Sequence, residues 1–198
     1  MAQNWNKANT LLLGLIALLL GSLVFVVAVK NNDPMDEMFG HMGHSSSSGS
    51  LSGADVMFLQ MMIPHHQQAV DMSTLALEKT TNPQLRDLAT RIKSAQTSEI
   101  AQMKKWLSDA GASEDPGHSM SGMGGMLSAT EFAALKSATG TTFDRLWLEG
   151  MIGHHDGAIH MTNMIEDAEN PEIKVFGENV VKVQSAEIKE MRGILANL

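Results

Sequence analysis

Met62-Ile63-Pro64-His65-His66-x-x-Ala69-x-x-Met72 and Met151-Ile152-Gly153-His154-His155-x-x-Ala158-x-x-Met161 are one segment written twice. Each copy is followed, past an Asn-Pro pair (Asn82-Pro83 and Asn170-Pro171), by a second shared line: Gln96-x-x-Glu99-Ile100-x-x-Met103 and Gln184-x-x-Glu187-Ile188-x-x-Met191. The repeating unit is therefore a helical hairpin rather than a single helix. Asparagine caps a helix N-terminus and proline is tolerated at its first position, so each Asn-Pro marks a break and a restart. The spans predicted are about 55–80, 83–109, 141–168 and 171–196. Ser52-x-x-Asp55 and Ser128-x-x-Glu131 have the form of capping boxes, the second opening a short helix before Gly140. Short connections make each pair antiparallel, and two hairpins that each expose one apolar stripe bury them against each other. The fold expected is all-α, a four-helix bundle with internal pseudo-twofold symmetry. No alternating run supports a sheet.

Sixteen methionines and eight histidines stand beside no cysteine and no tyrosine. Disulfides, zinc fingers and iron–sulfur clusters are excluded, and any metal chemistry must use thioether and imidazole. The net charge is −8, and the part beyond residue 30 is more acidic still, because Lys7 and Lys30 lie outside it. An acidic surface repels phosphate backbones and suits cations, so no nucleic-acid partner is expected.

From Thr10 to Val29 the chain is almost wholly apolar, about the twenty residues a helix needs to cross a bilayer. Residues 1–30 read as an uncleaved N-terminal transmembrane anchor. The alternative, a signal peptide, would have a shorter apolar region and a more basic start. The arrangement expected is a single-pass protein of the cell membrane with its helical domain on the extracytoplasmic, periplasmic side. Residues 31–54, rich in Gly, Ser, Met and His, read as a flexible tether. Residues 55–198 form the bundle, with hairpin repeats at 55–109 and 128–198 and a Met-rich linker at 110–127.

Within the repeats, helical geometry sets both histidines of each pair beside the core-facing line, and places Gln96, Glu99 and Met103 on the apolar face of the next helix. Burying a glutamate and a glutamine costs several kcal/mol unless they are paired. Their partners are the histidines across the hairpin. One reading is a hydrogen-bonded structural cluster. The other is metal ligation, with Gln96, Glu99, Gln184 and Glu187 behind the ligands, and the repetition of the arrangement favours it. The ligand candidates are His65, His66, Met62, Met72 and Met103, then His154, His155, Met151, Met161 and Met191. His160, where the first copy has Asp71, adds one more. Pro64 and Gly153, each just before a histidine pair, are expected to bend the helix. Met57, Met61 and Met164 read as core filler.

Methionines among Gly and Ser have no core to fill. Met35, Met38, His41, Met42 and His44 form one such tract, and His118, Met120, Met123 and Met126 another. Thioether and imidazole together suit monovalent copper, Cu(I), or silver, Ag(I). A di-iron site is poorly supplied, since it needs Glu-x-x-His pairs that are missing here.

Phe58-Leu59-x-x-Met62-Ile63-Pro64-His65-His66-x-x-Ala69-x-x-Met72, its second copy from Phe143-Asp144, and both Gln-x-x-Glu-Ile-x-x-Met lines closely resemble the DUF305 family over about residues 51–198. The resemblance implies a ferritin-like four-helix bundle, export, and copper binding for resistance or homeostasis, as in CopM-type periplasmic proteins. It implies ligand roles for His65, His66, Met72, Met103, His154, His155, Met161 and Met191. The function expected is a membrane-anchored, extracytoplasmic Cu(I)-binding protein for sequestration, homeostasis or transfer, not an enzyme, since no nucleophile has a positioned base. An accessory subunit docked on a membrane respiratory complex, such as a copper-dependent oxidase, is the alternative. A di-iron oxidoreductase is the third.

Overall fold

The structure, a computed structural model, describes residues 50–115, 117 and 124–198. The described residues are helical, without strands: α1 (Gly53–Lys79), α2 (Pro83–Asp109), α3 (Ala129–Ser137), α4 (Gly140–Met161), a 3₁₀ turn (Thr162–Ile165) and α5 (Pro171–Leu195). Four of the five helices start where a side chain accepts from orphan backbone N–H groups, and α4, behind Thr139, starts without one. The Ser52–Asp55 capping box opens α1 and the Ser128–Glu131 box opens α3, each reciprocal. Asn82 and Asn170 cap α2 and α5, with a proline at the first turn of each.

Helix α1 lies along α2 and α4 along α5, and the two hairpins meet mainly through α1 and α4. The core is divided. One apolar cluster joins the C-terminal part of α1 (Ala69, Met72, Leu75, Ala76) to the start of α2, the start of α4 (Phe143, Trp147, Leu148, Met151) and the end of α5 (Met191, Ile194). The other joins the start of α1 (Phe58, Leu59, Met62, Ile63) to the end of α2 (Met103, Leu107), the end of α4 (Ala158, Met161) and the start of α5 (Ile173, Phe176). Since α1 and α4 run in opposite senses, each cluster combines opposite ends of the two repeats. Between the clusters in sequence lie the two His-His pairs and the Gln and Glu that face them, so a polar layer crosses the middle of the bundle.

Helix α1 runs as one α-helix through Pro64. Two expectations need correction. The fourth helix stops at Met161, not near 168, and tightens into the 3₁₀ turn, where the Thr162 hydroxyl donates to the Ile159 carbonyl at 2.7 Å. Charge contributes: residues 166–169 are Glu-Asp-Ala-Glu, and carboxylates at a helix C-terminus oppose its dipole. Met57, expected in the core, is 48% exposed, while Met61 and Met164 pack against the second cluster.

The anchor, most of the tether, and with them Met35, Met38, His41, Met42 and His44 lie outside the described residues, as do His118, Met120 and Met123. Among the described residues no helix is long and apolar enough to cross a membrane.

Candidate metal centre

Adjacent histidines lie 100° apart on a helix, so both can face inward only where the neighbours receive them on two sides. That is the case here. His65, His66, His154 and His155 are all fully buried. His65 and His154 meet where α1 crosses α4, their rings 3.8 Å apart between centroids and tilted by 37°. His66 and His155 turn away from that pair, each 6.4 Å from its own neighbour's ring, toward the second helix of its hairpin.

There the repeated glutamates receive them. His66 Nε2 donates to Glu99 Oε2 at 2.9 Å, and His155 Nε2 donates to Glu187 Oε2 at 2.8 Å. His154 Nε2 donates to the His65 carbonyl at 2.9 Å. A nitrogen facing a carboxylate or carbonyl must carry the proton, which assigns these three rings to the Nε2–H form. Their Nδ1 lone pairs are left over, and all three are buried without a hydrogen-bond partner. Neither nitrogen of His65 makes a hydrogen bond of good geometry, although the Gly124 backbone approaches its ring. The amide oxygens of Gln96 and Gln184 are likewise buried and unpartnered. So many orphaned acceptors in one layer are unusual in a folded interior, where each costs about 1–3 kcal/mol.

The stacked pair at the centre of the layer is held neutral. Burial, reinforced by the neighbouring His66 and His155, pushes His65 down to about 3, with the Gly124 backbone opposing. Burial also drives His154 well below its ordinary value, with His65, His155 and His66 adding to it and the bond to the His65 carbonyl opposing. A neutral imidazole with one N–H committed to an oxygen is the form in which histidine binds a metal.

The methionines flank this layer. Met72, Met151 and Met191 belong to one apolar cluster, and Met62, Met103 and Met161 to the other. Each trio takes the equivalent of Met72 from one repeat and the equivalents of Met62 and Met103 from the other. Sequence spacing alone puts Met62, Met72 and Met103 in one hairpin. The exchange between hairpins is visible only once α1 and α4 are seen to be antiparallel.

The two halves are not equal, since the Glu99 side chain is 28% exposed and that of Glu187 only 10%. His160 does not join the layer: it is exposed and donates through Nδ1 to the Asp156 carbonyl at 2.7 Å. Met126 lies half-buried above α1 and α4. Among the described residues, no group of three or more His, Asp or Glu side chains converges closely enough to hold an ion as it stands. The donor types fit a soft cation, and the stacked His65–His154 pair would have to part to receive one.

Sequence reasoning missed Gln68 and the glycines of α4. Gln68 binds the Leu127 backbone twice, donating to its carbonyl at 2.9 Å and accepting from its amide at 2.7 Å. Its signal was the mismatch between the copies: Gln68 stands where the second repeat has Gly157, and Pro64 where it has Gly153.

The profile of the DUF305 family, a domain of unknown function, matches residues 55–195. The crystal structure of a DUF305 fragment from Deinococcus radiodurans is 34% identical, covers 76% of this chain and all of that one, and superposes with a TM-score of 0.70. CopM in its Cu(I)-bound form is 35% identical over 72% of this chain and 96% of that one, with a TM-score of 0.62. CopM is also known in Cu(II)-bound and silver-bound forms. An uncharacterized protein of Acanthamoeba polyphaga mimivirus is 38% identical over 55 residues, which is 28% of this chain and 36% of that protein's length.

Proposed function

The chain belongs to the DUF305 family, and from that premise we propose that it is a binding protein for monovalent copper, held at the extracytoplasmic face of a membrane by residues 10–29, that sequesters the ion or passes it on. One observation carries this reading. Three buried imidazoles each commit Nε2–H to an oxygen and keep an unpartnered Nδ1 lone pair. A purely structural cluster would satisfy those nitrogens, and a binding layer leaves them for a ligand. Silver fits the same donors. The likeness to CopM, known in Cu(I)-, Cu(II)- and silver-bound forms, supports the choice of metal.

His66, His154 and His155 would offer Nδ1, and His65 either nitrogen. The buried methionine trios on either side of the layer would supply thioether sulfur, and the tract residues His41, Met42, His44, His118, Met120 and Met123 would make first capture. Glu99 and Glu187 would act from behind, fixing the tautomer and raising the basicity of the ring they hold. Because both are engaged with histidines, neither is free to bridge a pair of irons. The protein binds and transfers without catalysis.

The test is a Cu(I) titration of the full-length chain in mild detergent against a competing chelator. The variant carrying His65→Ala, His66→Ala, His154→Ala and His155→Ala is compared with wild type. Loss of the tight site with helicity preserved is the expected result. Unchanged affinity in that variant would overturn the assignment to the layer.

A further inference from the structure

The stacked His65–His154 pair is fully buried, and on the His65 side its neighbour is a loop, through the Gly124 backbone. Residues 124–128 form a short non-helical strap ahead of α3. The strap is seated by glycine: a Cβ at Gly125 would lie 2.9 Å from the Gly157 Cα, and one at Gly157 would lie 2.8 Å from the Gly125 Cα and collide with the Gly124 carbonyl. Backbone therefore rests on backbone. Gly125 also has φ +85°, which favours glycine. On the other side Gln68 of α1 holds Leu127 by the two hydrogen bonds given above.

Gln68 and Gly157 are the same position of the two repeats, six residues after Met62 and Met151. One copy has become a fastening and the other a seat, so the strap bridges α1 and α4 across the pseudo-twofold axis that relates them, where His65 and His154 meet. The Gly124 backbone approaches the His65 ring directly. The clefts on either side of the strap, of about 440 and 530 Å³, share Met126 and Leu127 as lining residues.

We propose that Gly124–Leu127 is a gate over the histidine pair, seated on Gly153 and Gly157 and latched by Gln68, with Met126 the sulfur donor at its mouth. Lifting it uncovers His65 from the α1–α4 side. The fastening is light, two hydrogen bonds to one side chain and the packing of the half-buried Leu127 on the edge of the core, whereas the helices beneath are held by the whole core. The strap therefore opens far more often than the bundle unfolds. The gate's purpose rests on the binding reading, but its geometry does not.

The test uses the full-length chain, wild type against Gln68→Ala, Gln68→Glu and Gly157→Ala. Gln68→Glu keeps the acceptor for the Leu127 amide and loses the donor. Gly157→Ala blocks the seat at a helical position where alanine is well tolerated. Without metal, hydrogen exchange at the Leu127 amide reports opening, and diethyl pyrocarbonate labelling of His65 and His154, read by mass spectrometry, reports access. With Ag(I) as the probe, stopped-flow mixing gives the uptake rate. In Gln68→Ala and Gly157→Ala both exchange and labelling should accelerate about tenfold or more, with Gln68→Glu between them and wild type. Silver uptake should accelerate in step while affinity changes little. Faster Leu127 exchange with unchanged labelling of His65 and His154 would overturn the gate. Accelerated labelling in chains that bind no silver would sustain the gate and overturn the binding reading.

Discussion

Acidifying the metal-free protein tests the state of the layer. His65 is held near 3 against an unfolded value of 6.5, so between those values the unfolded chain carries a proton that the folded chain refuses. The unfolded state then binds more protons, and stability falls as pH drops from about 7 toward 3. The linkage relation gives about 2 kcal/mol lost from His65 between pH 7.5 and pH 5, and about 1.4 kcal/mol per further unit until its folded pKa is approached. His154 is depressed by the same burial and adds to this. The window above pH 5 is chosen because most carboxylates stay ionised there. Urea unfolding followed by helical circular dichroism at pH 7.5, 6.5, 5.8 and 5 measures the slope. Wild type should lose at least about 2 kcal/mol, and the paired substitution His65→Leu with His154→Leu should flatten the curve. A wild-type stability independent of pH over that window would refute the claim that these rings are buried and neutral.

Replacing Glu187 by Met leaves the His155 Nε2–H buried without an acceptor and should cost about 1–3 kcal/mol. Glu99→Met should cost less, because the first glutamate is more exposed and water can take its place; equal costs in urea titrations would contradict the asymmetry. Removing the α2 cap with Asn82→Ala frees the amides of Gln84 and Leu85 and should cost about 1 kcal/mol, measurable by thermal unfolding. Changing Met72, Met151 and Met191 together to leucine conserves volume, so the fold should survive with a cost below about 1.5 kcal/mol per site. Silver affinity should fall, and its persistence would exclude those sulfurs as ligands.

The bundle was legible because its signals are local. Asn82-Pro83 and Asn170-Pro171 fix two helix starts through backbone chemistry, and the Ser52 and Ser128 boxes fix two more. That Glu99 and Glu187 meet a histidine across their own hairpins was legible too, because the motif lines recur with nearly the same spacing, but the same reading gave Gln96 and Gln184 histidine partners, and their amide oxygens are unpartnered. What lies between hairpins was not legible. Periodicity says that a methionine faces inward, but it does not say that Met72 shares its cluster with Met151 and Met191. Nor does it say that His65 stacks on His154. Those contacts depend on how α1 crosses α4. The strap escaped for a related reason: Gly124–Leu127 has the composition of a flexible linker, and its seat exists only because Gly157 and Gly153 come within reach of it. The early end of α4 was readable in hindsight from the acidic run after Ile165.

The most direct test of the account is long-range ¹H–¹⁵N correlation of the histidine rings in the full-length chain, recorded without metal and then with Ag(I). The account predicts the Nε2–H tautomer at His66, His154 and His155 in the metal-free protein. On adding silver, the largest shifts should fall at Nδ1 of those rings, while His160 stays unmoved. Imidazole resonances of His65, His66, His154 and His155 that ignore saturating silver would contradict it.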